Sequence, residues 1–155
     1  MKKLIIVIIG LSLTFVGCAI TYKAPKETER RVYATHSSSL ADILNVSQRV
    51  LMIEGYRIEH VDKELGLIST APRNIKMTPE YANCGTTMGI NYLKDKRTDT
   101  DVSINILIDG NKIEVKANIE GEYKPGDVSQ NITLTCISKG VIEREILSQI
   151  KAKLK

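Results

Sequence analysis

The middle of the chain alternates strictly between apolar and polar residues. Residues 102–108 and 113–119 carry an apolar side chain at every second position. A period of two predicts strands with one dry face and one wet face, which is typical of an antiparallel sheet covered on one side. The sequence Asp-Gly-Asn at 109–111 favours a tight turn between these strands. We therefore expect a long hairpin at the centre of the fold.

Helical spacing replaces this alternation in two places. Residues 40–51 place apolar side chains three or four positions apart, between the serines at 37–39, which can cap a helix, and Gly55, which can end one. A second apolar stripe runs from Val141 to Leu154, and Ser138 precedes it as a candidate cap. Two amphipathic helices need a dry surface, so both are predicted to pack on the same face of the sheet.

Shorter β-type segments surround these elements. They lie at residues 31–35, 56–60, 67–71, 88–92 and 131–137. Periodicity fails between Pro72 and Thr86, which predicts a long loop. The chain is thus predicted to hold a single α+β domain over residues 32–155. Its antiparallel sheet of about five to six strands carries two helices packed on one face, in the order strand, helix, strands, helix.

The N-terminal segment has the order of a secretory signal. Lys2 and Lys3 give a basic start, and the apolar run 4–16 follows them. A membrane-spanning helix needs about 20 apolar residues, so this run is too short to span a bilayer. The pattern favours a signal peptide that is removed from the mature protein.

Residues 15–18, Phe-Val-Gly-Cys, end this run. This stretch resembles the lipobox of bacterial lipoproteins, in which a small residue precedes a cysteine that becomes the new N-terminus. The resemblance implies that residues 1–17 form a lipoprotein signal peptide and that Cys18 is acylated on its sulfur. Acylated Cys18 would attach the chain to a lipid bilayer, since several buried acyl chains give a stable attachment.

Residues 18–31 then comprise the lipidated cysteine and a segment rich in charged residues and Thr, with Pro25. This composition predicts a flexible tether. In lipoproteins of enteric bacteria, Asp at the position after the cysteine resembles an inner-membrane retention signal. Ala19 at that position favours the outer membrane, with the domain in the cell envelope facing the periplasm.

The net charge of +4 does not lie in the predicted domain. Lys2 and Lys3 belong to the signal peptide, and the tether adds a small positive excess. Residues 32–155 contain equal numbers of basic and acidic side chains. A nucleic-acid-binding domain is expected to be basic, so we do not expect nucleic acid as a partner.

The remaining cysteines are Cys84 and Cys136, and in an exported domain they allow one internal disulfide. The alternative is that both thiols are free. A zinc site needs further ligands, but His36 and His60 lack ligand spacing, so we expect no metal and no cofactor. No arrangement of residues typical of a nucleophile or an acid–base pair is visible, which predicts a protein that is not an enzyme.

The order of elements, with Gly55-Tyr56 followed by Gly66-Leu67-Ile68, resembles the helix-grip domains of outer-membrane lipoproteins of the barrel-assembly C-subunit type. The leading hypothesis is a non-catalytic protein-binding or assembly module of the envelope whose protein partner is unknown. Its expected contact elements are the loop 72–86 and the wet sheet face with Ser103, Asn105, Glu114, Lys116 and Asn118. The alternative is a binding module for a small amphiphile or cell-wall fragment between sheet and helices.

Overall fold

The structure is a computed structural model, and it describes residues 21–26 and 31–154. The helices are α1 (Leu40–Ile53) and α2 (Val141–Lys153). The strands are β1 (Tyr22–Lys23), β2 (Val32–Thr35), β3 (Ile58–Asp62), β4 (Leu67–Thr70), β5 (Arg73–Asn74), β6 (Ala82–Asn83), β7 (Thr86–Thr87), β8 (Ile90–Asn91), β9 (Thr98–Asp109), β10 (Lys112–Tyr123), β11 (Ile132–Thr135) and β12 (Ile137–Ser138). Short 3₁₀ turns lie at Tyr92–Lys94 and Val128–Gln130.

The long hairpin β9–β10 forms the centre of the main sheet, as the alternation predicts. Asp109 pairs with Lys112 across the turn, and the antiparallel register runs on to Thr98 and Tyr123. The sheet has the order β11-β10-β9-β4-β3, while β2 pairs with the first part of β10 and β5 pairs with β9. The described part of the chain therefore has the predicted α+β class, with more short strands than expected.

One face of the hairpin is dry along its whole length. Ile104 and Ile106 of β9 and Ile113 and Val115 of β10 are all buried. The helices α1 and α2 contact each other, α1 contacts β9, and α2 contacts β10. Both helices therefore cover the same face, as predicted, and the core lies between them and the sheet.

Local residues explain the ends of α1. The side chain of Ser39 accepts a hydrogen bond from the backbone N–H of Asp42 at 3.2 Å, which satisfies a donor in the first turn. At the other end Gly55 has φ +81°. This conformation lets the N–H of Tyr56 donate to the carbonyl of Leu51 at 2.9 Å. Both predicted helix limits are confirmed.

The tether prediction is wrong at Tyr22–Lys23, because these residues form β1 and pair with Thr87 and Thr86 of β7. The hydroxyl of Tyr22 also accepts a hydrogen bond from the N–H of Thr135 at 2.9 Å. Its ring contacts Tyr92 edge-on, with the ring centroids 5.7 Å apart. A segment of low hydrophobicity is thus held by strand pairing with β7 and by the side chain of Tyr22.

Other element boundaries also differ from expectation. The strand predicted at 88–92 is reduced to β8, because Met88 and Gly89 both have positive φ and Tyr92 begins a 3₁₀ turn. The strand predicted at 131–137 is divided at Cys136 into β11 and β12. β12 pairs with β6 from the predicted loop, so that loop contains short strands.

Ser138 does not cap α2 in the predicted way, because the N-cap residue is Gly140 with φ +78°. The Ser138 hydroxyl instead accepts from the N–H of Gly140 at 3.0 Å and donates to Glu143 at 2.9 Å. Both Ser138 and Glu143 are buried. The serine therefore joins the start of α2 to a buried carboxylate.

The turn before β9 is held by Asp95. Its carboxylate accepts hydrogen bonds from the backbone N–H of Arg97 at 3.0 Å and from the guanidinium Nη2 at 2.8 Å. The side-chain hydrogen bond from Arg97, followed by the one from its backbone N–H, lowers the pKa of Asp95 from 3.8 to about 2. The charged form of Asp95 therefore stabilises this turn.

We expect Asp95→Asn to lower the free energy of unfolding at pH 7 by up to about 1 kcal/mol, because the pair is partly exposed and screened by water. The pKa of Asp95 is lower in the folded state than in the unfolded state. Its contribution is complete above about pH 4 and is lost as the pH falls through about 2. Urea unfolding of both proteins at pH 7 and pH 2 measures this difference. An equal difference at both pH values would contradict the assignment.

Candidate binding groove at the edge of the sheet

The predicted site residues are only partly within the described chain. Cys18 lies outside the described residues. Cys84 and Cys136 form a disulfide across 52 residues, which is the predicted pairing. Cys84 is fully buried in the core, and Cys136 separates β11 from β12. The disulfide therefore attaches the segment 72–86 to the sheet.

The residues predicted on the wet face lie on the sheet face opposite the helices. Ser103, Asn105, Glu114 and Asn118 are partly exposed, and Lys116 is exposed. This face is extended at its edge by Tyr33 of β2, which pairs with Glu114 and is 58% exposed. The Nζ of Lys112 lies 4.2 Å from the centroid of the Tyr33 ring. The wet face is thus mainly polar, with an aromatic side chain at its β2 edge.

A groove separates the other side of β2 from α2, and its volume is about 810 Å³. One edge of β2 pairs with β10, and no strand of the described chain pairs with its opposite edge. Residues of and next to β2 form one wall of the groove, and residues of α2 form the other. They are Arg31, Val32, Tyr33 and Ala34 on the strand side and Arg144, Leu147, Ser148, Lys151 and Ala152 on the helix side. The groove therefore combines an open strand edge with one face of a helix.

Local backbone geometry brings α2 close to β2. Gly140 at the start of α2 has φ +78°, a conformation that side-chain-bearing residues rarely adopt. A Cβ atom at this position would lie 3.1 Å from Cγ2 of Val32 and 2.8 Å from Nη1 of Arg144. Glycine thus allows the helix to begin against the strand, and this approach sets one end of the groove.

The groove is basic on its rim and apolar at its base. Arg31, Arg144 and Lys151 are exposed, and among the residues that the structure describes no carboxylate lines the groove. Leu147 is 6% exposed and faces the core side of the groove. An extended segment with acidic side chains would match both the open strand edge and the cations. The groove therefore offers both backbone groups and cations to a polypeptide segment.

A smaller cavity of about 370 Å³ lies between the end of α1 and the start of α2. Tyr56 lines it, and burial raises the pKa of this tyrosine although nearby Arg73 opposes the shift. The Arg73 guanidinium donates to the carbonyl of Glu54, and Lys76 donates to the carbonyl of Lys96 at 2.7 Å. The cations at this cavity therefore already have polar partners.

Carboxylates on β9 and β10 meet near the hairpin's open end. Lys124 lies 3.0 Å from Asp99 and 3.1 Å from Glu122, and Asn74 donates to Asp101 at 3.1 Å. Among the described residues, no group of three or more His, Cys, Asp or Glu side chains is arranged to hold a metal ion.

Within the same ranges, no helix is both long and apolar enough to cross a membrane.

Sequence reasoning missed the groove because its walls are far apart along the chain. A partial signal was present in α2, where Arg144, Ser148 and Lys151 recur at helical spacing and lie on one exposed face. The edge position of β2 carries no local sequence signal. The open edge is apparent only from the sheet order, in which one edge of β2 pairs with β10 and no described strand pairs with the other.

No protein family and no curated protein matches the sequence. A solved structure similar to this fold is a DUF4468 family protein from Bacteroides ovatus ATCC 8483, with 14% sequence identity and a TM-score of 0.40. The match covers 67% of this chain and 58% of that chain. The match thus spans less than two thirds of the length of that protein. The likeness assigns no function to the present chain.

Proposed function

We propose that the chain is a membrane-anchored envelope lipoprotein that acts as a non-catalytic protein-binding or assembly module. Acylated Cys18 attaches it to a lipid bilayer, and Ala19 directs it to the outer membrane facing the periplasm. The observation that carries the binding function is the groove between β2 and α2, with its unpaired strand edge and its basic rim.

An unpaired strand edge presents backbone N–H and C=O groups at regular spacing, so it can pair with an extended segment of another chain. Arg31, Arg144 and Lys151 add attraction for acidic side chains of such a segment. The partner that fits is an envelope protein with an exposed acidic strand or linker. The loop 72–86 and the predicted wet-face residues Ser103, Asn105, Glu114, Lys116 and Asn118 do not line this groove and are secondary contact surfaces.

Site-specific photocrosslinking in cells tests this proposal. A photoreactive residue at position Tyr33 should give one protein adduct through an acidic segment, identified by mass spectrometry. The double variant Arg144→Glu/Lys151→Glu should lower the adduct yield about tenfold, because attraction becomes repulsion at two positions.

Arg57→Glu is the matched control, since Arg57 is exposed and precedes β3 at the opposite edge of the sheet. This variant should leave the adduct unchanged. Equal yields from the double variant and the unmodified groove would contradict binding at this site. A photoreactive residue at Leu65, in the turn between β3 and β4, should not give this adduct. A yield equal to that from position 33 would also contradict binding at the groove.

A second candidate function is binding of a small amphiphile or cell-wall fragment. The 370 Å³ cavity favours it, since Met77, Ile142 and Ile146 supply an apolar wall. Under the helices, the dry face of the sheet instead carries buried aliphatic side chains such as Ile104 and Ile106. A rise in Tm of the purified protein with a lysophospholipid or a muropeptide, lost in Ile142→Glu, would support this function. An unchanged Tm would exclude those ligands.

A further inference from the structure

The hairpin β7–β8 ends in an exposed apolar tip. Met88 is 91% exposed and Ile90 is 63% exposed, with Gly89 between them. Met88 has φ +48°, which is unusual for a residue with a side chain. Single apolar side chains on a surface are common, but two on one tip with a left-handed backbone form a small projecting apolar surface.

The tip lies where the N-terminal segment joins the domain. β1 is antiparallel to β7, with Lys23 opposite Thr86 and Tyr22 opposite Thr87. Tyr22, at the N-terminal end of β1, therefore lies beside Thr87, the residue of β7 that precedes Met88. The chain that leads back to Cys18 accordingly leaves β1 at the apolar tip.

The distance from the tip to the acylation site is short. Cys18 precedes Tyr22 by four residues. Four fully extended residues span at most about 14 Å. Tyr22 itself is fixed to the domain by its hydroxyl contacts with Thr135 and its ring contact with Tyr92. An acyl chain on Cys18 would thus hold the hairpin β7–β8 close to the bilayer surface.

The charges around the tip also suit a lipid surface. Residues 81–93 contain no Asp or Glu. Exposed Lys23 of β1 pairs with Thr86 at the start of β7 and lies beside this neutral stretch. A lysine beside an apolar tip is attracted to anionic headgroups, while the apolar side chains enter the region between headgroups and acyl chains.

We infer that Met88 and Ile90 insert into the bilayer beside the acyl anchor, so that the hairpin β7–β8 is a second membrane contact. This inference rests on the acylation of Cys18 in the proposed function. Together the two contacts fix the orientation of the domain on the membrane, which a flexible tether alone would not do.

This orientation directs the groove away from the bilayer. Tyr92, two positions after Ile90, packs against Tyr123 at the end of β10, with the two ring centroids 5.1 Å apart. β2 pairs with Lys112–Val115 at the opposite end of β10. Tyr123 lies eight positions along the strand from Val115, which corresponds to about 26 Å. The groove would therefore face proteins that stand off the membrane surface.

Tryptophan fluorescence tests the insertion, because the chain contains no tryptophan. Met88→Trp places one indole at the tip, and Leu65→Trp places one in the β3–β4 turn, where the native side chain is 66% exposed. Leu65 precedes Gly66, whose carbonyl accepts from the N–H of Ile108 at the far end of β9. Both acylated mature proteins, beginning at Cys18, are reconstituted into vesicles of phosphatidylethanolamine and phosphatidylglycerol, with and without brominated acyl chains.

We expect the Met88→Trp protein to show blue-shifted emission and a roughly twofold loss of emission with brominated lipids. The Leu65→Trp protein should show neither. Co-sedimentation with vesicles reports the acyl anchor separately. If both proteins sediment with vesicles but Met88→Trp is unquenched, the tip is not inserted and the inference is overturned. If neither protein sediments, the anchor itself fails and the proposed membrane attachment falls with it.

A double variant, Met88→Asp/Ile90→Asp, gives a second readout. Both native side chains are exposed, so Tm should stay close to that of the unmodified protein. Acylated variant protein should still sediment with vesicles. A photoreactive residue at Thr87 should lose its crosslinks to lipid in this variant, and unchanged crosslinks to lipid would contradict the insertion.

Discussion

Replacing Cys84 and Cys136 together by alanine is expected to lower the free energy of unfolding by about 4 kcal/mol. The disulfide closes a loop across 52 residues, and closing such a loop removes chain entropy from the unfolded state. The disulfide also attaches the segment before β7 to the end of β11, so its loss frees this segment. A decrease of this size is a large fraction of the total stability of a small domain.

Urea unfolding measures the change, with the oxidised and the chemically reduced native protein beside the double variant. The reduced protein and the variant should unfold at similar urea concentrations, well below the oxidised protein. Alanine is preferred at position 84 because Cys84 is fully buried and a new hydroxyl there would lack a partner. A decrease below about 1 kcal/mol would contradict the structural role of the disulfide.

Glu143→Ala is expected to lower the free energy of unfolding by about 2–4 kcal/mol. Glu143 is only 1% exposed. Its carboxylate accepts from the N–H of Ala117 at 3.3 Å and from the hydroxyl of Ser138 at 2.9 Å. Alanine would leave these buried donors without their acceptor and would leave a cavity.

The position of Ala117 explains why a side chain is needed there. β10 pairs with β2 up to Val115 and with β11 from Glu120 onward. Ala117 lies between these two pairings, where neither strand supplies an acceptor for its N–H. Glu143 on α2 supplies this acceptor and connects the helix to the sheet at the interruption. The helix, the sheet and the Ser138 turn should therefore loosen together when the carboxylate is removed.

Glu143→Gln and Glu145→Ala are the matched variants. Glutamine keeps the size and one acceptor oxygen, so its effect should stay within about 1 kcal/mol. Glu145 is exposed on the same helix, and its replacement should have a small effect. Urea unfolding of the three variants ranks their losses in the free energy of unfolding. A decrease in Glu143→Ala no larger than in Glu145→Ala would show that the buried hydrogen bonds contribute nothing.

The elements that were predictable are those whose signals are local. Ser39 and Gly55 determine the limits of α1 through a side-chain cap and a left-handed terminus. The alternation of β9 and β10, with Gly110 in the turn, determines their register. The disulfide followed from the number of cysteines left after Cys18, although the sequence alone left open whether the thiols were free.

Other features depend on contacts that the sequence pattern does not show. β1 is too short to have a period, and it pairs with residues more than sixty positions away. Ser138 looked like a helix cap, but its hydroxyl is used by buried Glu143. The groove depends on the unpaired edge of β2, which is a property of the sheet order. These contacts join distant segments, so only the structure could place them.

Both proposals depend on the attachment of the chain to a membrane through Cys18. The most direct measurement is the intact mass of the protein extracted from its native membrane, with Cys18→Ala for comparison. We predict a chain that begins at Cys18, lacks residues 1–17 and carries added acyl chains, and a Cys18→Ala protein without them. An unmodified protein that retains residues 1–17, or one with no acyl chains, would contradict the account.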